Sequence, residues 1–387
     1  MRAAYVFLRD RFYHPFMAFV AALVYGFPSR HLTVIGVTGT KGKSTTVELV
    51  AHILESAGKR AVVSSSVRNE ARGTTMPRCF AIQKLLRQAV SRGLGHAVIE
   101  VTSQGVIQGR HLFIRWSVAV FTNLAPEHIE AHGGFEEYRA AKVSFFRYAA
   151  TNPSAVFVVN KDDESSSYFI RAAEGHALVM FGKEDPPSSL HGAFNGYNAG
   201  AALAVASALG ISRDIALRAI GSFPGVRGRM EIIQHEPFTV VVDYAVTPDS
   251  LRAAYAAFFG KRIIGVFGCT GGGRDAWKRP VMGGIAGDMC DEIVLTDDDS
   301  YDESTEDIMA AIERGLRATR HGAWKEGANY RKISDRREAI RAAISLARPQ
   351  DVVMITGKGG DRWLRMARGK KIPWSDQDIV REALASR

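Results

Sequence analysis

The residues with the clearest chemical potential form a glycine-rich segment, 36–46, with the sequence GVTGTKGKSTT. It follows an apolar run, 32–35, and precedes a pattern that predicts a helix over 45–57. Such a turn directs backbone N–H groups and the positive end of the helix dipole at one point, where phosphate oxygens bind. Lys43 would then neutralise phosphates, and the Ser44 hydroxyl would bind Mg²⁺. The order of strand, glycines, Lys-Ser and helix favours an ATP site over an accidental glycine-rich turn.

Two further side chains follow predicted strands, and a third lies on a predicted helix. Glu100 stands near the end of the apolar run 97–101, and open α/β sheets bind ligands beyond such strand ends. A carboxylate there could hold Mg²⁺, although a surface salt bridge is the alternative. His128 follows the next predicted strand and should arise at the same edge of the sheet. Lys142, by spacing alone, is an ordinary helix lysine.

The elements that must position these residues alternate between apolar runs and helical patterns. Predicted strands at 33–37, 61–64, 97–101, 118–122 and 155–159 are separated by segments such as 77–91 and 135–149. This alternation predicts an α/β fold with a mostly parallel sheet. After helical patterns at 197–209 and 213–221, the turn-forming residues 224–228 introduce strands at 239–242, 263–267, 292–295 and 352–355, with helices near 248–259, 305–316 and 336–346. We therefore expect a helical segment at 1–30, an ATP-binding domain at 31–227 and a smaller Rossmann-like α/β domain at 228–387.

Composition narrows the classes of protein to consider. The net charge is +10 and the pI is about 9.5, but the Lys and Arg residues are scattered and form no basic block. This distribution favours anionic small-molecule substrates over a nucleic-acid partner. Cys79, Cys269 and Cys290 are too widely spaced for a disulfide framework or a metal motif, which fits a reducing cytoplasm.

The N-terminus carries Arg2, Arg9 and Arg11 ahead of an apolar stretch, 16–27. It resembles a short signal sequence, but it lacks a small-residue cleavage site and is too short to span a bilayer. We expect a helix packed on the first domain. A helix in peripheral contact with a membrane surface, starting at Pro15, is the alternative.

Nine ordered segments give the chain a family resemblance. They read GVTGTKGKSTT, IEVTSQGVIQGR, FTNLAPEHIEAHGGFEEYRAAK, FNGYNAGAALAVASALG, PGVRGRMEII, VVDYAVTPDSL, GVFGCTGGGRDAWKRPVMG, TDDDSYDE and ITGKGGDRW. The chain resembles the Mur ligase superfamily, ATP-dependent enzymes that join an amino acid or peptide to a carboxylate, and most closely its MurE branch. MurE enzymes add the third residue of the peptidoglycan stem peptide.

The resemblance implies a role for each matching residue. ATP would bind Gly39, Thr40, Lys41, Gly42, Lys43, Ser44 and Thr45 of the loop, together with Asn195, Arg229 and Asp243. Two Mg²⁺ sites would use Ser44, Glu100, His128 and Lys142, the last as a carbamate formed with CO₂. The muramyl-peptide acceptor would contact Thr74, Thr75, Thr102, Gln108 and Arg110, and the incoming amino acid would contact Arg274, Asp298, Tyr301, Gly357 and Asp361. Lys43, Glu100, His128, Lys142 and Arg229 would serve catalysis, in which an acyl-phosphate of the acceptor is attacked by the amine.

The sequence departs from the MurE pattern in places that concern the acceptor. Full-length MurE has an N-terminal uridine-binding domain, whereas here only residues 1–35 precede the loop. Either a separate uridine-binding protein supplies that contact, or the acceptor is held without it, or the acceptor is something other than a UDP-sugar peptide. Val246 and Gln104 also stand where the family has histidines, and neither can titrate or bind metal as imidazole does.

The amino-acid pocket departs as well. Where diaminopimelate-adding enzymes have Asp-Asn-Pro-Arg, this chain has Asp298-Asp299-Ser300-Tyr301, so the arginine that would pair the distant carboxylate is missing. The acids in this region are Asp297, Asp298, Asp299, Asp302, Glu303 and Asp361. They favour a cationic side chain such as lysine over diaminopimelate, unless several of them only form a solvated loop.

Two other functions remain open on the sequence alone. Folylpolyglutamate synthase and the lipid-II-modifying MurT also lack the uridine domain, so a related ligase with another acceptor is the first. A non-catalytic ATP-binding relative is the second, prompted by Val246 and Gln104.

Overall fold

The computed structural model describes residues 9–69, 75–126, 132–185, 190–273, 275–319 and 324–387. The chain divides into two compact units, Met1–Leu190 with Phe194–Pro224, and His191–Ala193 with Gly225–Arg387. Each unit is an α/β structure built on a six-stranded sheet.

The first unit is built on a sheet in which every described pair of neighbouring strands is parallel. Its strands are β1 (Thr33–Thr38), β2 (Ala61–Ser64), β3 (His96–Glu100), β4 (Val118–Phe121), β5 (Val156–Asn160) and β6 (Ala177–Phe181), in the order β2-β3-β1-β4-β5-β6. β1 and β3 are central and almost completely buried, which matches their continuous apolar sequences. The predicted parallel α/β sheet is confirmed, and β6 is an edge strand that the sequence reasoning missed.

Among the described residues, eight α-helices connect or cover these strands. They are α1 (His14–Val24), α2 (Lys43–Ser56), α3 (Cys79–Ser91), α4 (Ser103–Ile107), α5 (Phe135–Ala149), α6 (Ser166–Ala172), α7 (Asn195–Ala208) and α8 (Arg213–Gly221). A π-helical turn, Arg9–Tyr13, leads into α1, and a short 3-10 turn, Pro28–His31, follows it. α1 packs against α3 through its small residues Ala18, Ala21 and Ala22.

Gly36 has a packing role. It lies inside β1, and a Cβ atom built on it would come within 2.8 Å of ring atoms of Phe145 and Trp116. These two aromatic rings contact each other edge to face, with centroids 5.0 Å apart. The glycine therefore lets α5 and Trp116 pack directly on the strand.

The second unit has a sheet of order β11-β10-β9-β12-β8-β7, parallel except for the antiparallel edge strand β7. The strands are β7 (Glu231–Gln234), β8 (Thr239–Asp243), β9 (Ile263–Phe267), β10 (Glu292–Leu295), β11 (Tyr330–Lys332) and β12 (Val352–Thr356), and a separate hairpin pairs β13 (Trp363–Arg365) with β14 (Lys371–Pro373). The helices are α9 (Pro248–Ala256), α10 (Lys278–Met289), α11 (Thr305–Arg317), α12 (Arg336–Leu346) and α13 (Asp376–Ala385).

Apolar layers cover both faces of this second sheet. Within the described residues, no helix has the length and apolar character needed to cross a bilayer.

Candidate active site

The glycine-rich loop connects the end of β1 to the first residue of α2, Lys43. Gly39 and Gly42 have φ angles of +148° and +79°, which L-residues rarely adopt. A Cβ atom would lie 1.9 Å from Thr122 Oγ1 at the first glycine and 2.1 Å from Asn198 Oδ1 at the second. Both positions therefore require glycine for conformation and for space.

Polar side chains from the end of β4 hold the loop in place. The backbone N–H of Lys41 donates to Asn123 Oδ1 at 2.9 Å, and Thr122 Oγ1 donates to the Lys41 carbonyl at 2.8 Å. Thr40 donates its N–H to the Asn123 carbonyl at 2.8 Å, and its hydroxyl lies 3.1 Å from the Tyr138 hydroxyl. Thr122 and Asn123 were not among the predicted site residues, although polar residues directly after a buried strand were the available signal.

Ser44 and Glu100 meet at the start of α2. Ser44 Oγ donates to Glu100 Oε2 at 2.9 Å, and the carboxylate is almost completely buried at 3% exposure. Ser66, which the sequence reasoning missed, donates its N–H to the same Oε2 at 2.9 Å, and its hydroxyl lies 2.7 Å from Ser44 Oγ. Two of the four side chains predicted to hold Mg²⁺, Ser44 and Glu100, are thus brought together from α2 and β3.

The chemistry of this group fits a magnesium ion. Mg²⁺ prefers hard oxygen ligands and usually retains several waters and substrate phosphate oxygens. Hydroxyl and carboxylate oxygens adjoin a loop suited to phosphate. Among the described residues, no group of three or more His, Cys, Asp or Glu side chains gathers at one point. Ser44 and Glu100 are the described residues that would hold such an ion.

Lys142 is a buried cation beside the loop. Its side chain projects from α5, and the residue is only 1% exposed. The ammonium donates to the Gly39 carbonyl at 2.7 Å and lies 4.7 Å from the centroid of the Tyr138 ring. The structure thus brings Lys142 to the loop, which the helix position alone did not predict.

Three other predicted ATP-binding residues lie nearby. Lys43 Nζ donates to the Thr40 carbonyl at 2.8 Å, so its ammonium folds back over the loop. Asn195, at the start of α7, accepts a hydrogen bond of 2.8 Å from Asn198, the residue that packs against Gly42. Thr45 is buried in the first turn of α2.

The predicted acceptor residues lie around α4 and the segment before α3. Thr102 caps α4 by accepting the Gly105 N–H at 3.0 Å. Arg110 donates to Gln108 Oε1 and to the Met76 carbonyl, next to Thr75 in sequence. Burial, together with the neighbouring Arg78, lowers the pKa of Arg110. An anionic ligand beside Arg110 would stabilise its charged form and oppose this decrease in pKa.

Three predicted site residues, Thr74, His128 and Arg274, lie outside the described residues. Gln104, which stands where the family has a histidine, is exposed on α4. An imidazole contacts the preceding residue, because His132 Nε2 lies 3.1 Å from the hydroxyl of Ser103.

In the second unit, Arg229 lies just before β7 and Asp243 is the last residue of β8, the antiparallel neighbour of β7. Asp243, the last residue of β8, accepts the Met230 N–H at 2.7 Å. The Arg229 guanidinium stacks over the ring of Tyr244 at 4.1 Å. Desolvation raises the pKa of Asp243, and the Arg229 charge opposes that rise.

Asp298 and Gly357 are adjacent at the carboxyl ends of β10 and β12. A Cβ atom on Gly357 would come 2.5 Å from Asp298 Oδ2, so a glycine is needed there. Burial raises the pKa of Asp298 to about 6, against the opposing charges of Lys358 and Arg336. The oxygens Thr296 Oγ1, Asp297 Oδ1 and Thr356 Oγ1 are buried without a hydrogen-bond partner among the described residues, as expected where a polar ligand or water completes a site.

The acids of the predicted amino-acid pocket are largely neutralised within the chain. Lys358 Nζ lies 2.8 Å from Asp299 and 3.2 Å from Asp361. Arg365 bridges the same two carboxylates at 2.6 and 2.5 Å. Tyr301 has a φ of 53° and donates its N–H to the Arg365 carbonyl at 3.3 Å. The excess negative charge of the pocket is therefore smaller than the sequence indicated. The expectation of a cationic amino acid now rests mainly on Tyr301, which replaces the arginine of diaminopimelate-adding enzymes.

Comparisons with known proteins agree with this architecture. The family model of the Mur ligase middle domain matches residues 37–190, and that of the Mur ligase glutamate ligase domain matches residues 228–359. UDP-N-acetylmuramoyl-L-alanyl-D-glutamate--2,6-diaminopimelate ligase from Thermosynechococcus vestitus is 34% identical, over 95% of this chain and 80% of the relative. UDP-N-acetylmuramyl-tripeptide synthetase from a Roseiflexus species is 35% identical, over 95% and 82% respectively.

Solved structures extend the comparison. A UDP-N-acetylmuramoyl-L-alanyl-D-glutamate--2,6-diaminopimelate ligase structure superposes with a TM-score of 0.62 at 29% identity, covering 92% of this chain and 78% of that one. A folylpolyglutamate synthase from Mycobacterium tuberculosis superposes with a TM-score of 0.71 at 17% identity, covering 90% and 94%. At that identity, the second likeness concerns the fold alone.

Proposed function

The chain belongs to the Mur ligase family, and we propose that it is a MurE-like, ATP-dependent ligase that joins an amino acid to a muramyl-peptide-type carboxylate in peptidoglycan precursor synthesis. One observation carries the proposal. The Ser44 hydroxyl and the buried Glu100 carboxylate meet within 2.9 Å at the base of a loop whose glycines cannot be replaced without collision. This is the arrangement that a nucleotide phosphate with its magnesium ion requires.

The reaction begins when the acceptor carboxylate attacks the γ-phosphate of ATP, which releases ADP and leaves an acyl-phosphate. The amine of the incoming amino acid then attacks the acyl carbon, phosphate leaves, and the amine loses a proton. Lys43 neutralises phosphate charge from the loop, and Arg229 is the proposed second cation. Mg²⁺, held by Ser44 and Glu100, would supply Lewis-acid stabilisation of the transferring phosphoryl group. Most of the catalysis is then positioning and charge stabilisation.

Lys142 is proposed to carry a carbamate formed with CO₂. The support is its burial beside the phosphate loop, where its ammonium donates to the Gly39 carbonyl. An ammonium in this position carries an appreciable desolvation cost, and carbamylation would replace it with a carboxylate-like group suited to a second Mg²⁺. His128 is the further ligand that the family resemblance implies.

The carbamate has its own test. Lys142→Ala should abolish turnover, and short carboxylic acids should restore part of it. Lys84→Ala, at an exposed lysine of α3, should keep wild-type turnover and should not respond to the acids. Labelled bicarbonate should give a carbamate resonance in the wild type that Lys142→Ala lacks. Unchanged activity of the Lys142 variant would contradict the assignment.

For the acceptor, we propose contacts with Thr74, Thr75, Thr102, Gln108 and Arg110. Arg110 supplies the positive charge, and its lowered pKa is consistent with a site awaiting an anion. A separate uridine-binding protein remains part of this proposal, as does a cytoplasmic location, where ATP and nucleotide-linked precursors are available. For the amino acid, the proposed contacts are Arg274, Asp298, Tyr301, Gly357 and Asp361.

The function is tested by measuring ADP release with UDP-muramyl-dipeptide and single amino acids. We expect release to require both substrates and L-lysine to be used better than diaminopimelate, because Tyr301 offers no charge to a second carboxylate. Folate-type and lipid-linked acceptors serve as the comparison. Turnover with one of those and not with the muramyl peptide would move the chain to another branch, and no turnover with any amino acid would refute the proposal.

A further inference from the structure

The helix α1 exposes an unusual apolar surface. Phe12, in the π-helical turn that leads into α1, and Phe16, Phe19 and Leu23 of α1 itself follow each other at helical spacing and are here called the α1 stripe. Their exposed fractions are 62%, 62%, 40% and 58%. A helix that only packs on its own domain would turn such residues inward. Here the buried residues of α1 are Ala18, Ala21 and Ala22, whereas Phe16 and Leu23 are exposed, and Phe19 is partly exposed while its ring contacts that of Phe113 with centroids 5.3 Å apart.

The surroundings of the α1 stripe are positively charged. Neither α1, nor the turn Pro28–His31, nor α3 contains an Asp or Glu residue. Asp10, just before α1, is 3.4 Å from His14. The exposed cations of these elements and their immediate flanks are Arg11, Arg30, Arg78, Lys84, Arg87 and Arg92. Because α1 and the Pro28–His31 turn both pack against α3, this acid-free region is continuous.

Large apolar side chains surrounded by arginine and lysine are typical of helices that lie in the interface of a bilayer. Anionic lipid headgroups attract the cations, and the rings enter the boundary between headgroups and acyl chains. A soluble partner protein would need an acidic surface around an apolar groove, and a second copy would bring the same cations together. The charge pattern therefore favours the membrane over either of these.

We propose that the α1 stripe docks this protein on the surface of an anionic phospholipid bilayer. The contact is peripheral, with α1 lying along the surface and the cations of α3 and its flanks facing the headgroups. It does not depend on the ligase reaction.

Docking would bring a candidate acceptor loop towards the lipid. A Cβ atom on Gly109 would lie 3.6 Å from backbone atoms of His14 and Pro15, so the loop carrying Gln108 and Arg110 adjoins the first turn of α1. An acceptor presented at the membrane would therefore be close to these two residues. This consequence, unlike the docking itself, rests on the proposed function.

The test is flotation of the full-length chain with vesicles. We expect binding to vesicles of phosphatidylglycerol and phosphatidylcholine, weak binding to phosphatidylcholine alone, and loss of binding in high salt. Phe16→Asp should lower the partition coefficient about tenfold or more. The matched control is Phe259→Asp, at a phenylalanine of the second unit that is 93% exposed, and it should bind as the wild type does.

A second pair of variants tests the cations. Lys84→Gln with Arg87→Gln should reduce binding about 25-fold, at roughly fivefold for each charge. Lys370→Gln with Lys371→Gln, two exposed lysines of the second unit, should have little effect.

Three results would overturn the proposal. These are no flotation with anionic vesicles at low salt, equal binding of Phe16→Asp and wild type, and self-association that Phe16→Asp abolishes without any vesicle binding. Circular dichroism and urea unfolding of each variant serve as the control for retention of the fold. ADP release with a soluble acceptor should be the same for Phe16→Asp and wild type, so failure of the docking and failure of the ligase proposal give different results.

Discussion

Replacing Glu100 by Gln should remove most of the turnover while leaving the fold as stable as before or slightly more stable. The carboxylate is 3% exposed, and one atom, Oε2, accepts both the Ser44 hydroxyl and the Ser66 N–H at 2.9 Å. The amide oxygen of Gln can occupy the same place and accept both hydrogen bonds. Only the negative charge is lost, and because a buried charge is costly, its removal should change the free energy of unfolding by less than about 1 kcal/mol.

The catalytic effect should be much larger. Loss of one preorganised electrostatic group in an active site typically costs about 100- to 1,000-fold in kcat, or roughly 3–4 kcal/mol of transition-state stabilisation. Without its negative charge, the side chain should also weaken magnesium binding, by about 10- to 100-fold on the scale of altered metal sites. Activity and stability are therefore predicted to respond in different ways.

The assay combines ADP release, measured over a magnesium titration, with urea unfolding. Glu48→Gln is the matched control. Glu48 lies on the same helix α2 and accepts a 2.7 Å hydrogen bond from Ser65, but it pairs with Arg68, which is half exposed, and not with the phosphate loop. Its loss should cost at most about 1 kcal/mol of stability and leave kcat within about threefold.

Two results would refute this reasoning. One is turnover by Glu100→Gln within about threefold of the wild type at all magnesium concentrations. The other is a loss of more than about 3 kcal/mol of stability, which would mean that the carboxylate serves the fold and the activity fell with it.

Three further predictions follow. Gly42→Ala should lose more stability than Gly58→Ala and should also raise the KM for ATP, because both have a positive φ but only the first collides with α7; equal losses by urea unfolding would contradict this. Burial lowers the pKa of His111 to about 4, so below its ordinary value of 6.5 the unfolded chain binds a proton that the folded chain excludes, and stability should fall as pH drops from about 6.5 to about 4. Urea midpoints across this range should show a slope that His111→Gln lacks. Tyr301→Arg should shift kcat/KM towards diaminopimelate relative to lysine, and an unchanged ratio in ADP-release assays would show that this position does not select the amino acid.

The predicted strands were close to those observed because buried parallel strands are short apolar runs between turns. Glu100 was found in this way, since it ends such a run, whereas Asp243, the last residue of β8, was named only because the family resemblance implied it. The edge strands β6, β7 and β11 were missed. For β6 the apolar sequence ALVMF was an available signal, but three of its five residues are exposed, so it lacks the burial that makes central strands distinctive.

The candidate site was only partly predictable. Lys43 and Ser44 follow from local spacing, because the loop and the helix that carry them are adjacent in sequence. Ser66 and Asn198 could not be found by spacing, since the folding of separate segments brings them to the loop, whereas Asn123 was missed although its position just after β4 was an available signal.

The ion pairs of the second unit show the same limit. Asp299 is paired with Lys358 and Arg365, which are 59 and 66 residues away. Counting acids in the sequence therefore overestimated the negative charge of the pocket. Charge neutralisation in a folded site depends on which side chains meet, and local composition does not contain that information.

The most direct measurement follows the oxygen atoms of the reaction. With the acceptor carboxylate labelled by heavy oxygen, one labelled atom should appear in the inorganic phosphate for each amide bond formed, together with ADP, because an acyl-phosphate transfers that oxygen when the amine attacks. Phosphate without the label, or release of AMP in place of ADP, would contradict an acyl-phosphate ligase and with it the central claim made for this chain.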